Sequence, residues 1–176
     1  MNFTRVLQTL AAYFEAGSQP FLVVGGLALQ AYGFTRATQD VDLTLALSSQ
    51  DSVIRFLESL GYQTLHRSDG FSNHLHSQAE WGRVDVIYVD DATMEKLLSK
   101  PCKPWPIAGR TFLVPRQEHL IAMKIHAMKN NPRRTFKELA DIQCLMGLPD
   151  TDDAAVAHYF EQAGLLERYH ELKKHY

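Results

Sequence analysis

Residues 21–26 read Phe-Leu-Val-Val-Gly-Gly, a strand-length apolar run that stops on two glycines. A strand with no polar side chain needs cover on both faces, so it belongs inside a sheet flanked by helices. The glycines predict a tight turn, with a short helix from Leu27 to Tyr32 starting on it and ended by Gly33. Upstream, Phe3, Val6, Leu7, Leu10, Tyr13 and Phe14 recur at three- and four-residue spacing. That is the stripe of an amphipathic helix over 3–16, stopped at Gly17.

Downstream, Asp40 to Ala46 and Arg83 to Val89 alternate polar and apolar, which predicts two strands with one polar face each. Between them, Val53, Phe56, Leu57 and Leu60 predict a helix over 49–60 closed by Gly61. Two shorter strands, about 62–66 and 72–77, follow around a Ser68-Asp69-Gly70 turn. Pro101, Pro104 and Pro106 mark an irregular crossing, and Arg110 to Val114 reads as a last strand. From Pro115 on, residues 117–129, 134–146, 152–163 and 165–174 all suit helices. The expectation is an α+β chain: a mixed sheet flanked by helices over 1–114, then a helical portion over 115–176 packed on that core, closing one side of a cleft.

Composition narrows the function. At 176 residues, 45% hydrophobic and 22% charged, the chain can bury a core without disulfide or metal staples. A net charge of -2 excludes a globally basic nucleic-acid binder but leaves room for a local patch. Cys102 and Cys144 form no CxxC, which fits two free thiols in a reducing cytoplasm and not a disulfide scaffold or zinc finger. No secretory signal pattern opens the chain and no run of apolar residues is long enough to cross a membrane, so a cytoplasmic protein is expected.

The chemistry lies in the acids. Asp40 and Asp42 stand at i and i+2 of a strand and so share a face. Two carboxylates that close repel each other unless a cation lies between them. Mg²⁺ suits hard oxygen ligands and keeps open positions for phosphates. Asp85, in the other alternating strand, completes a trio if the two strands are neighbours. Three acids on two Mg²⁺ ions make a two-metal site for in-line displacement at phosphorus, with Asp85 also placed to take a proton from the attacking hydroxyl. Gly25 and Gly26 join a buried strand to a helix N-terminus, where backbone amides face an anion and no side chain blocks a phosphate. The competing reading of Asp-x-Asp is a solvated edge strand that resists aggregation.

These residues resemble the nucleotidyltransferase superfamily that includes DNA polymerase β: a strand, Gly25-Gly26, then Asp40-Val41-Asp42, then Asp85 on a later strand. The resemblance covers about residues 20–90 and implies the nucleotidyltransferase fold, an NTP donor and Mg²⁺. Further on, Glu118-His119-Leu120 through Lys124 and Ala127, then Arg133-Arg134, then Lys137-Glu138-Leu139-Ala140-Asp141, is similar to the C-terminal motif of AbiEii-type nucleotidyltransferase toxins. That resemblance implies active-site roles for Lys124 and Asp141, a tRNA or protein acceptor, and a cognate antitoxin. It departs at Glu138, where the family commonly has Asp. Gly33-Phe34-Thr35-Arg36 before Asp40-Val41-Asp42-Leu43 also resembles antibiotic nucleotidyltransferases acting on lincosamides or aminoglycosides. A catalytically silent nucleotide-binding regulator is the alternative from another class.

Other residues carry two readings each. Lys124 is a point charge suited to a triphosphate, or part of a solvated helix face. Arg36 and Thr38 contact phosphate or acceptor, or belong to an ordinary loop. Arg83 shares a face with Asp85 and reads as an ion-pair partner that orients it. Residues 116–137 hold six Lys or Arg against Glu118 alone, a patch fit for phosphates or RNA, or a solvated helix pair. No aromatic interleaves the charge, because Phe136 is expected in the core. His74 and His76 are expected as exposed strand histidines, not zinc ligands.

Overall fold

The computed structural model describes residues 1–174. The chain divides into two compact units, one ending at Pro115 and the other starting at Arg116. The first unit runs α1 (Phe3–Ala16), β1 (Phe21–Val23), α2 (Gly25–Ala31), β2 (Asp40–Ala46), α3 (Gln50–Ser59), β3 (Tyr62–Ser68), β4 (Phe71–His76), β5 (Arg83–Val89), α4 (Asp91–Ser99), β6 (Lys103–Ile107) and β7 (Arg110–Val114). The second holds α5 (Gln117–Asn130), α6 (Thr135–Met146), α7 (Asp153–Gln162) and α8 (Leu166–Lys173). Among the described residues no helix is long and apolar enough to cross a membrane.

Five strands form one mixed sheet in the order β1-β2-β5-β4-β3. β2 and β5 run parallel with Val41 opposite Val84 and Leu43 opposite Val86; the other pairings are antiparallel. Period two then sorts the sheet into two faces. Val41, Leu43, Leu45, Val84 and Val86 are fully buried on one of them. α1 and α3 share its cover: Phe14 packs on Phe21 with ring centroids 4.9 Å apart, and Tyr13 stacks on Phe56 at 3.8 Å. The opposite face carries Asp40 and Asp42 of β2 beside Arg83 and Asp85 of β5.

That sorting overturns the expectation for the strand histidines. His74 lies opposite Val84, on the covered face, and is 0% exposed; His76 is buried as well. Ser72 Oγ meets His74 Nε2 at 2.8 Å and Tyr88 Oη at 3.0 Å, while Thr64 Oγ1 meets His74 Nδ1 at 3.1 Å. Burial pushes the His74 imidazole down to about 4, against a smaller upward pull from Glu58. His76 donates from Nε2 to the Leu60 carbonyl and accepts the Gln78 amide at Nδ1.

Three elements also differ from expectation. α2 begins on Gly25 itself, so the glycine pair opens the helix instead of preceding it. The proline-rich stretch is a strand, β6, paired with β7. Pro104 and Pro106 alternate along it, so both missing N–H groups fall on the side away from β7. α4 was hidden because only Met94 and Leu97 of its nine residues are buried, too few for a stripe; Asp90 caps it by accepting the Thr93 amide at 2.8 Å. In the second unit, α5 packs on α6 and α7, and α7 on α8. Its interior is built from Leu120, Ile121, Ile125, Ile142, Leu145, Val156 and Phe160.

Candidate active site

The Val24 amide bonds to the Asp42 carbonyl at 3.0 Å, which brings the end of β1 against the start of β2. Gly25 follows with φ of +64°, a left-handed conformation that side chains disfavour. A Cβ there would overlap the Asp42 carboxylate. At Gly26 a Cβ would stand 2.7 Å from Thr38 Cβ and Oγ1, with an Arg36 guanidinium nitrogen 3.5 Å away. The glycine pair thus makes room for Asp42 and Thr38, a reason different from the approach of phosphate expected from the sequence. Thr38 Oγ1 donates to Asp40 Oδ1, and Gln30 Nε2 holds the loop by donating to the Arg36 carbonyl at 3.1 Å.

The parallel register sets Asp42 directly opposite Asp85 and Asp40 opposite Arg83. Asp40, Asp42 and Asp85 each offer a carboxylate oxygen, and the three oxygens lie within 4.8 Å of one another. Hard anionic donors at that spacing fit a divalent cation such as Mg²⁺. Asp85 is buried, and its Oδ1 accepts from Arg83 Nε at 2.8 Å and from Asn73 Nδ2 at 3.1 Å. These two donors fix the plane of the carboxylate. The Asp85 hydrogen bond holds the Arg83 guanidinium above its ordinary range; burial opposes this, and the charges of Asp85, Asp40 and Asp42 add to it. Asn73 escaped the sequence reading because its place opposite Asp85 comes from strand pairing, which no local pattern reveals.

The structure therefore brings together Gly25, Gly26, Arg36, Thr38, Asp40, Asp42 and Asp85 in the first unit. Lys124 and Asp141 lie in the second. There Lys124, 7% exposed, is no solvated lysine: its Nζ donates to Asp141 Oδ2 at 2.6 Å and to Glu138 Oε2 at 3.1 Å. Arg134 donates to Glu138 Oε1 from Nε at 2.9 Å. Burial alone would raise the Glu138 carboxyl; Lys124 and Arg134 together hold it below the usual carboxylate range. Glu138 thus joins two cations at the position where an Asp was the commoner expectation. Glu118, the lone acid of the basic stretch, is buried too and accepts from Arg116 Nε at 2.7 Å. Phe136 is 90% exposed, against its expected place in the core. α6 turns Glu138 and Asp141 inward, and at about 100° per residue Phe136 falls on the other side.

Similar folds recur among solved structures. The antibiotic-resistance factor ANT(2'')-Ia in solution is 18% identical, with 97% of this chain and 99% of that one covered at a TM-score of 0.68. The lincosamide antibiotic adenylyltransferase LnuA with lincomycin bound is 16% identical, over 81% of this chain and 96% of that one, at 0.59. An antigenic nucleotidyltransferase-like protein from Paracoccidioides brasiliensis is 16% identical, over 98% and 92%, at 0.57. At such identities these likenesses show the fold, which is that of the nucleotidyltransferases. No curated protein matches the chain in sequence. Over residues 6–175 it does match the model of the nucleotidyl transferase AbiEii toxins of type IV toxin–antitoxin systems; the chain belongs to that family and is a nucleotidyl transfer enzyme.

Proposed function

We propose that the chain moves a nucleoside monophosphate from an NTP to a hydroxyl of a tRNA or protein acceptor, with Mg²⁺ held by Asp40, Asp42 and Asp85. The observation that carries this reading is the convergence of three carboxylates within 4.8 Å, with the glycine pair that opens α2 packed directly against Asp42 and Thr38. A pair of divalent ions held there would neutralise the triphosphate and make the acceptor hydroxyl more acidic. Asp85 takes the hydroxyl proton while the acceptor oxygen bonds to the α-phosphorus; the bond from that phosphorus to the bridging oxygen breaks, and pyrophosphate leaves. Arg83 and Asn73 keep the Asp85 carboxylate aimed through the step, so the reaction needs little reorganisation. Arg36, Thr38 and the Gly25-Gly26 backbone bind the nucleotide. The family resemblance supports active-site roles for Lys124 and Asp141, which are joined at 2.6 Å within the helical unit. Family membership supports a toxin restrained by a cognate antitoxin, acting in the cytoplasm.

A second reading has a small antibiotic as acceptor. It is favoured by the likeness to two antibiotic-modifying enzymes and by the Gly33-Phe34-Thr35-Arg36 stretch. One experiment separates the two: each labelled NTP with Mg²⁺, offered total cellular RNA, protein, lincomycin and tobramycin. Label in RNA or protein with release of pyrophosphate supports the first reading; label on a drug moves the assignment to the second. Asp40→Ala and Asp42→Ala should each lower transfer at least about 100-fold with the fold intact, on the scale of a lost electrostatic group at a reacting centre. Full turnover in either variant overturns their assignment as metal ligands. No metal-dependent stabilisation by any NTP would overturn the acidic trio as the place where metal and nucleotide bind together.

A further inference from the structure

The second unit presents a surface that the transfer site does not use. At least half of the 18 Lys and Arg residues have an acid. Arg5, Arg67, Arg83, Arg110, Arg116, Lys124, Arg134, Arg168 and Lys173 are all engaged in ion pairs. Lys129 at the end of α5, Arg133 in the turn before α6 and Lys137 in its first turn are exposed, and none has an ion-pair partner among the described residues. Within the same turn stands Phe136, 90% exposed. Buried, an aromatic ring contributes far more than most side chains, so a ring left in water stabilises nothing in the fold. Beside it α6 and α8 form a groove floored by Leu139, Ala140 and Leu172.

We infer that Phe136, with Lys129, Arg133 and Lys137, is a docking platform for single-stranded nucleic acid, the ring stacking on a base while the three cations follow the phosphates. The pairing of an accessible ring with unsatisfied cations is the pattern that binds single strands, because every base has a π-face and every linkage a charge. An acidic peptide would satisfy the cations but gives no reason for the ring. A duplex would satisfy the cations and keep its bases stacked away from it. As the place where an acceptor strand is held, the surface rests on the transfer reading above; as a binding site it is measured without nucleotide or metal, so it stands or falls separately.

The test is fluorescence anisotropy of the full chain with a labelled mixed-sequence RNA of about 12 nucleotides, within the range of single-strand site sizes. Phe136→Ala should weaken binding roughly ten-fold, and Phe136→Trp should preserve it. The thermal midpoint should stay in place, since the ring is outside the core. Replacing Arg133 and Lys137 together by Gln should reduce the slope of log affinity against log salt by about 1.4, or 0.7 for each lost phosphate contact. Four results would each overturn the inference: no binding at low salt, unchanged affinity in Phe136→Ala, equal affinity for a duplex of the same length, or polyglutamate competing as well as RNA.

Discussion

At Gly25 a backbone requirement and a side-chain requirement meet. The φ of +64° disfavours any Cβ, and the space a Cβ would take belongs to Asp42. The carboxylate can turn away, but Asp42 Cβ, 2.7 Å from the new methyl, moves only with its backbone, so Gly25→Ala displaces Asp42 from the trio. The left-handed backbone and this shift together should cost at least about 1 kcal/mol of stability, read by urea denaturation. Transfer should fall at least about 100-fold, the scale of a displaced group at a reacting centre. Wild-type turnover in this variant would separate Asp42 from the chemistry. Gly33 makes the contrast: its φ is +87°, but no atom lies within 4 Å of where a Cβ would stand. That the glycine pair permits a close approach at the start of a helix was legible in the sequence, because Gly-Gly there leaves no side chain in the way. Its value to Asp42 and Thr38 was not, because it depends on a loop folding back across more than ten residues.

Among the elements, β2 and β5 were legible to the residue. Each opens on a polar–apolar alternation, Asp-Val-Asp-Leu and Arg-Val-Asp-Val, and period two needs no partner to be read. Their adjacency was the condition on which Asp85 joins Asp40 and Asp42, and the parallel register meets it. The histidines of β4 were misread because alternation tells which residues share a face, not which face is covered. Ser72, His74 and His76 form the polar set of Phe71–His76, and they are the set turned toward the helices. This placement has a consequence for pH. With its folded pKa depressed to about 4 by burial, His74 stays neutral where the unfolded chain, near 6.5, takes up a proton. Its contribution is present above about pH 6.5 and is lost as pH falls toward 4, on the order of 2 kcal/mol. Urea midpoints at pH 7 and pH 4.5 should show a smaller difference in His74→Gln than in the wild type. Equal differences would place the acid sensitivity elsewhere.

For the whole molecule, a net charge of -2 concealed how charge is distributed. The second unit buries Lys124 against Glu138 and Asp141, with Arg134 completing a neutral set, and leaves Lys129, Arg133 and Lys137 in water. Summed charge reports neither arrangement, and a basic stretch looks the same in sequence whether its acids neutralise it from a later helix or not. Each unit also has its own apolar interior: Phe14, Leu22, Leu43, Leu57 and Phe112 in one, Ile121, Ile142, Leu145 and Phe160 in the other. An interior of its own is what independent folding requires. Residues 1–115 expressed alone should therefore unfold in one cooperative transition. They should also keep a Mg²⁺-dependent thermal shift with NTP, since Asp40, Asp42, Asp85 and the glycine pair all lie within them. Transfer by this piece should nevertheless fall by about 100-fold or more, because Lys124 and Asp141, proposed for the active site, are absent. If the piece turned over NTP at the rate of the full chain, Lys124 and Asp141 would be a structural ion pair and nothing else. If it lost the metal-dependent shift while staying folded, the acidic trio would need the helical unit to be assembled, and the nucleotide site could not be assigned to the sheet alone.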